Sequence, residues 1–327
     1  MNTSRMARRS VIALAVALGG LAALPTWAQN FPSKPVRIVV PFGPGGTGDL
    51  TARAVASKLS DIWGKGVIID NRPGAGGVVA AESVVKSDPD GHTLFLMSNG
   101  TAVTQALFQK LPFNALTDFT PVSTLGYFDI AVVVPENSPF KSFAELVAHA
   151  KANPRKLNLG SINVGSTQNL AAELFKSTAG IDVQVVPYNG TPALLAAMRG
   201  GQIDVAVEIL GPVLPQVEAK AMRVVAVTGE KRSVVLPGVP TAKESGVPDF
   251  VATSWNALAA PAKTPADVVA KLNRDIAAAL AAPEIQAKLK ELNVEARGST
   301  PQQVSDMLAS DVKRWTLVID KAGIPRQ

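Results

Sequence analysis

Short runs of β-branched and other apolar residues alternate along the chain with segments whose apolar positions recur every three or four residues. The first run, Val36 to Val40, precedes a glycine-rich loop and an amphipathic segment from Leu50 to Leu59. Further runs at 66–70 and 93–97 are separated by a helical pattern at 78–85. Strands and helices that alternate with short loops are typical of an α/β fold with a mainly parallel sheet.

The same alternation returns from residue 130 and forms a second unit. Apolar runs predict strands at 130–135, 157–160, 183–186, 203–210, 223–228 and 256–260. Helical periodicity and capping signals predict the last helices at 265–281, 284–292 and 301–322. We therefore predict two lobes with a cleft between them, each a mainly parallel sheet flanked by helices. Residues 29–129 with 251–327 form lobe 1, and residues 130–250 form lobe 2.

The loop from Gly43 to Gly48 joins the first strand to the first helix. The first amides of a helix have no partner inside it, and the helix dipole places partial positive charge there. Glycines let the backbone approach a ligand closely. A strand, a glycine-rich turn and a helix start therefore predict a site for an anion such as a carboxylate.

A second loop, Ser161 to Asn169, has the same strand–loop–helix arrangement in lobe 2. Ligands of open α/β sheets bind beyond the carboxyl ends of the strands, so the two loops should face each other across the cleft. The predicted ligand contacts of the two loops are Phe42, Gly45, Gly46, Thr47, Asp49, Asn163, Gly165, Ser166, Thr167 and Gln168.

Four further candidates lie elsewhere in lobe 2. Tyr188, Asn189 and Gly190 follow a predicted strand, where a tyrosine beside Asn-Gly is well placed for a ligand. Glu208 lies on the strand face opposite Val205 and could point into the cleft, where it would bind an ammonium, an amide or a ring N–H. Two readings stay open: Asp49 as a structural carboxylate at a helix start, and Glu208 as a locally paired acid.

The first 28 residues predict a secretory signal peptide. Arg5, Arg8 and Arg9 precede an apolar run from Val11 to Leu24, and small residues before Ala28 suit cleavage after that residue. The apolar run is too short for a membrane span. The Arg8-Arg9 pair leaves twin-arginine export open.

Removal of the leader lowers the net charge from +6 to +3, because three basic residues and no acids lie in it. This mild charge, with 5% aromatic residues, gives no sign of a nucleic-acid surface. The chain has no cysteine and only two histidines, and no metal-ligand cluster or nucleophile–base pair can be assembled. We therefore expect no metal, no cofactor and no enzymatic activity.

A rival interpretation is a nucleotide-cofactor oxidoreductase. Residues 43–48 satisfy G-x-G-x-x-G, and Asp70 lies where a dinucleotide-binding fold keeps its ribose-binding acid. Against it, the charge of Asp49 would face the pyrophosphate, an exported protein meets little free NAD, and acid–base partners are few. The oxidoreductase is retained as the alternative.

Several motifs together resemble the Bug-type receptors of tripartite tricarboxylate transporters. They are Phe31 to Phe42 with Pro44-Gly-Gly46 and Asp49, Asn71-Arg-Pro-Gly-Ala-Gly-Gly77, Asp90-Gly-His-Thr-Leu94, Leu236 to Thr241 with Glu244-Ser-Gly246, and Trp255 with Ala260-Pro261 and Thr264-Pro265. The resemblance covers the chain after residue 28. It implies a two-lobed class II periplasmic binding protein that closes over a small carboxylate and delivers it to a membrane permease. We expect a periplasmic monomer.

Two departures from the family pattern bear on the ligand. Asn169 stands where the family usually has histidine, and Asn189 stands where a lysine or arginine is common. Both changes remove positive charge, which makes a highly charged tricarboxylate such as citrate less favourable. Because Glu208 could bind an ammonium or a ring N–H in the cleft, we expect an amino acid or a nitrogen-containing monocarboxylate instead. A sensory receptor that presents its ligand to a kinase would have the same fold and remains a further alternative.

Overall fold

The structure, a computed structural model, describes residues 31–327, apart from the side chains of Ala75 and Ala322. The predicted signal peptide lies outside the described residues. The strands are β1 (Val36–Val40), β2 (Val67–Asn71), β3 (Thr93–Ser98), β4 (Phe119–Pro135), β5 (Asn158–Ile162), β6 (Gln184–Tyr188), β7 (Val205–Ile209), β8 (Met222–Val227), β9 (Thr253–Pro261) and β10 (Val294–Ala296). The helices are α1 (Thr47–Trp63), α2 (Val78–Val85), α3 (Asn99–Leu107), α4 (Phe143–Ala152), α5 (Thr167–Ala179), α6 (Thr191–Arg199), α7 (Leu210–Glu218), α8 (Ala266–Ala281), α9 (Pro283–Glu291) and α10 (Pro301–Ala322).

The strands form one continuous path in the order β2-β1-β3-β9-β4-β7-β5-β6, with β8 and β10 also paired to β4. Strand β4 divides this path. Its residues 119–129 pair with β9 and its residues 130–135 pair with β7 and β8. The chain therefore passes from one half of the sheet to the other within a single strand, between residues 129 and 130.

The sheet as a whole contains both parallel and antiparallel pairs. The outer strands β1, β2 and β3 are parallel, as are β5, β6 and β7, in keeping with their helical crossovers. At the centre, β4 and β9 are antiparallel to each other. Strand β9 is also antiparallel to β3, and β4 is antiparallel to β7. The prediction of a mainly parallel sheet in each lobe agrees with the outer strands. The antiparallel pairs lie at the centre, where β4 runs through both halves and β9 returns beside its first half.

The core is built from the apolar faces that the sequence pattern predicts. Residues 36–40 contribute four fully buried apolar side chains, and Trp315 on α10 is fully buried against the start of α3. Helix α10 begins at Pro301 after Thr300, whose hydroxyl accepts a hydrogen bond from the amide of Gln303. Over residues 31–327, no helix is both long enough and apolar enough to cross a bilayer.

Candidate functional site

Four helices begin at the cleft between the lobes. Helices α1 and α3 start there from lobe 1, and α5 and α6 start there from lobe 2. Their first amides lack partners within the helix, and their dipoles have the same sign at the cleft. The cleft therefore carries the partial positive charge that an anion requires, without any ionised side chain.

The cleft has two adjoining parts that share Phe42 and Ser98. Chamber A is lined by Phe42, Gly43, Gly46, Thr47, Gly48, Ser98, Phe128, Ile162, Thr167, Gln168, Gly190, Thr191, Ile209, Ser254 and Asn256. Chamber B is lined by Pro41, Phe42, Gly74, Gly76, Gly77, Ala81, Phe95, Ser98, Gly100, Thr101, Thr104, Phe113, Asn163, Gly165 and Ser166. Among these described lining residues, none carries a charge.

Chamber A contains buried polar atoms that no protein group satisfies. The hydroxyl of Thr47 at the start of α1 has no hydrogen-bond partner, and neither do the amide nitrogen and oxygen of Asn256. Both side chains are 1% exposed. Buried polar groups are hydrogen-bonded in the great majority of proteins, so unpaired atoms that face a cleft indicate a ligand or ordered water.

The two lobes contact each other directly around the cleft. The Thr167 hydroxyl of lobe 2 donates to Asn99 Oδ1 of lobe 1 at 3.1 Å. The Thr104 hydroxyl lies 2.6 Å from the carbonyl oxygen of Gly76 and 3.3 Å from that of Gly165 in the opposite lobe. We refer to this arrangement, with the lobes in direct contact, as closed. A guest in the cleft would contact both lobes.

Asp49 lies just behind the first loop rather than in the cleft lining. Its carboxylate accepts hydrogen bonds from the Gly45 amide at 2.9 Å, from Arg53 Nε at 3.0 Å and from Asn71 Nδ2 at 2.8 Å. Burial raises the pKa of this carboxyl, but the hydrogen bonds from Arg53, Gly45 and Asn71 outweigh it and hold the pKa below its ordinary value. This geometry supports the structural reading of Asp49 as a brace for the loop.

Asp70, the acid of the rival dinucleotide site, is paired with arginines. Its Oδ2 lies 3.3 Å from Arg37 Nη1 and 2.9 Å from Arg72 Nε. It is absent from the described lining of both chambers. The carboxylate of Asp70 is therefore paired with two arginines outside both chambers.

Glu208 is fully buried behind the lining of chamber A. Its Oε1 accepts from Gln168 Nε2 at 2.8 Å and from the Ile209 amide at 2.7 Å, and its Oε2 has no partner. Burial raises the pKa of this carboxyl above its ordinary value. The position supports a role in holding Gln168, which lines the chamber, instead of direct contact with a ligand.

We expect Glu208→Gln to stabilise the protein at neutral and alkaline pH. A raised folded-state pKa gives stability that is fully present below pH 4.5, the ordinary value, and is lost as the pH rises through the folded pKa. Replacing the unpaired buried oxygen with a non-titrating amide should raise the free energy of unfolding at pH 8 by roughly 1–3 kcal/mol. The gain should shrink as the pH falls towards 4.5, as measured by urea unfolding.

The exposed Glu218 provides the control for that measurement. Glu218→Gln should change the free energy of unfolding by less than about 0.5 kcal/mol at each pH. A Glu208→Gln variant that is less stable than the parent at pH 8, with a deficit that narrows at low pH, would contradict the prediction.

The sequence-predicted contacts divide into two groups. Those that line the chambers are Phe42, Gly46, Thr47, Asn163, Gly165, Ser166, Thr167, Gln168 and Gly190. Those outside the described lining are Gly45, Asp49, Tyr188, Asn189 and Glu208. The backbone oxygen of Asn189 lies near Gly43, and the Tyr188 carbonyl accepts from the Asn163 amide at 2.9 Å, so both residues shape the rim.

The prediction omitted several lining residues. The loop from Gly74 to Gly77 faces Gly165 across the cleft: a Cβ on Gly165 would lie 2.8 Å from Gly76 Cα. Its glycine content is the signal that could have identified it. Ser98 and Asn256 lie at neighbouring positions of β3 and β9, and that pairing is not visible in the sequence. Within residues 31–327, no group of three or more His, Asp or Glu side chains is arranged to hold a metal ion.

Comparisons of sequence and of structure with known proteins both point to one family of receptors. The chain matches the family described as "Tripartite tricarboxylate transporter family receptor" over residues 51–324. It is 33% identical to Protein BugT of Bordetella pertussis over 325 residues, which cover 99% of each chain.

Two solved structures with bound acids superpose closely. R. palustris Rpa4515 with adipate is 35% identical with a TM-score of 0.86, covering 90% of this chain and 99% of that one. MatC from Rhodopseudomonas palustris with bound malate is 31% identical with a TM-score of 0.84, covering 88% of this chain and 100% of that one. The predicted two-lobed α/β binding-protein fold and the Bug-type resemblance are thereby confirmed. The chain belongs to the family of tripartite tricarboxylate transporter receptors.

Proposed function

We propose that this protein is a periplasmic receptor that captures a small organic carboxylate between its lobes and delivers it to the permease of a tripartite transporter. The observation that carries the proposal is the convergence of helix N-termini from both lobes on chamber A, which is lined by neutral groups. Adipate and malate in the two related structures support the same class of ligand.

Capture follows from the closed contacts. A ligand in chamber A touches α1 of one lobe and α5 and α6 of the other only when the lobes are closed. Its affinity for the closed form exceeds that for any open form, and this difference shifts the population. Delivery then requires a permease that favours the open form. We infer a monomer that is exported by its leader, cleaved after Ala28, and has no catalytic step.

The role is tested by thermal shift and calorimetry on the mature chain with a panel of carboxylates from two to eight carbons. A true ligand at about 100 times its Kd should stabilise the protein by about 2.7 kcal/mol. The primary amide of the same acid, which lacks the charge, should give little or no shift. If no carboxylate in the panel raises the Tm, or if the purified protein carries a nicotinamide or flavin, the proposal is wrong.

A further inference from the structure

Asn256 is the least satisfied polar side chain in chamber A. It lies on β9, is 1% exposed and lines the chamber beside Ser254, which projects from the same face of the strand two residues earlier. Neither its amide nitrogen nor its amide oxygen has a partner. The side chain thus offers one donor group and one acceptor group at the same point of the cleft.

A plain carboxylate satisfies only half of this side chain. Carboxylate oxygens accept hydrogen bonds, so they can pair with Asn256 Nδ2, with the Thr47 hydroxyl and with free helix amides. They offer nothing to Asn256 Oδ1, and an acceptor left unpaired in a buried site is costly. A ligand with a hydrogen-bond donor close to its carboxylate satisfies this oxygen directly, in place of an ordered water.

The donor that suits the chamber is a hydroxyl rather than an ammonium. An ammonium withdrawn from water needs an anionic partner, and the described lining of chamber A contains no carboxylate. The nearest buried acid, Glu208, lies behind Gln168 and binds its amide. A neutral hydroxyl can donate to Asn256 Oδ1 and accept from Asn256 Nδ2 or Thr47 without adding charge.

We propose that Asn256 is a specificity-determining residue that selects 2-hydroxy acids over the corresponding unsubstituted acids and over 2-amino acids. This inference rests on the proposed carboxylate-binding function and narrows its substrate class. It also replaces the amino acid expected from the sequence, because that expectation depended on Glu208 lying in the cleft.

The test compares matched acids by calorimetry on the mature protein. The pairs are lactate and propionate, malate and succinate, 2-hydroxyglutarate and glutarate, and 2-hydroxyadipate and adipate, with L-alanine and L-aspartate as the ammonium counterparts. In the pair that binds best, the hydroxy acid should bind at least about 10-fold more tightly than its unsubstituted partner, because a site built to bond a hydroxyl rejects the analogue that lacks it. The amino acids should bind more weakly than the hydroxy acids.

Two variants assign the preference to the residue. Asn256→Leu keeps the approximate size and removes both polar atoms, so the ratio of affinities within the pair should fall to about 2-fold or less. If the leucine variant does not fold, the same ratio of affinities is measured with Asn256→Ala. Thr101→Val is the control in chamber B, because its hydroxyl already accepts a hydrogen bond from the Ser98 amide. It should change the affinity for both members by the same factor and leave their ratio intact.

Each outcome decides one question. If no acid binds, the receptor function itself is wrong. If acids bind but both members of every pair bind equally, or amino acids bind most tightly, the function stands and the assignment of Asn256 is overturned. A preference that survives in Asn256→Leu or Asn256→Ala would also overturn it, because another group would then recognise the hydroxyl.

Discussion

Replacing Gly165 with leucine should weaken ligand binding by about 100-fold while leaving the unliganded protein folded. Gly165 has a φ of +83°, and a Cβ there would lie 2.8 Å from Gly76 Cα and 3.2 Å from Phe108 Cε2, both in the opposite lobe. Because these atoms belong to opposite lobes, opening of the cleft should relieve the clash. An overpacking cost of about 3 kcal/mol in the closed form corresponds to a loss of about 100-fold in affinity. Calorimetry with the best acid of the panel measures this loss.

Gly180 supplies the control for backbone strain. It has a φ of +62° at the end of α5, and nothing lies within 4 Å of a Cβ built there. Gly180→Leu should therefore lower stability by about 1–2 kcal/mol, as a left-handed residue does, and bind ligand with the parental affinity. Normal binding by Gly165→Leu would show that closure does not bring these loops together.

Replacing Trp315 with alanine should produce the largest loss of stability. The indole is fully buried, and its Nε1 donates to Asn99 Oδ1 at 2.9 Å. Asn99 in turn donates to Asp311, which also accepts from Trp255 Nε1 at 2.7 Å. Loss of the ring leaves a cavity and weakens this network, so the free energy of unfolding should fall by about 3–5 kcal/mol. The Tm should fall by roughly 10 °C.

Leu317 on the same helix tests whether the effect comes from burial. Its side chain is 53% exposed, so Leu317→Ala should change stability by less than about 0.5 kcal/mol. Urea unfolding of both variants gives the comparison, with an unchanged m-value as the sign of the same two end states. Equal losses in the two variants would mean that α10 is stabilised by helix propensity instead of by the core.

The sequence predicts elements well where the local signals agree with the tertiary environment. Strand β1 and helices α2 and α10 have the predicted bounds, because a β-branched run and strong helical patterns define them. The hydrophobic pattern of the sequence does not predict helix α3. It begins with Asn99-Gly100, which favours a turn, and it is buried on nearly every side, so it has no polar face to reveal its period.

Two other omissions have equally local causes. The first half of β4 contains Pro121 and Gly126, which interrupt a strand pattern, and the structure has register shifts next to both. Helix α7 contains Gly211, Pro212 and Pro215, which predict a loop, although the first two lie in its first turn. In each case tertiary pairing outweighs the local preference.

The candidate site was predictable as far as its glycine-rich loops and helix starts. These features depend on short-range sequence, and two of the residues they suggest, Thr47 and Thr167, line chamber A. The positions of Glu208 and Asn256 depend on which strands become neighbours. The alternation of side chains along a strand predicts which face of the sheet a residue lies on. It does not predict whether a helix such as α5 covers that face.

The central place of β9 sets an order of assembly for the molecule. It separates β3 from β4 in the sheet, yet it follows the whole of lobe 2 in the chain. As an exported polypeptide emerges from its translocation channel, the strands of lobe 2 can pair as soon as they appear. The amino-terminal strands β1 to β3 keep an unpaired edge until residue 261 has crossed. A chaperone that shields newly translocated chains would therefore be needed at the beginning of this sequence more than in its middle.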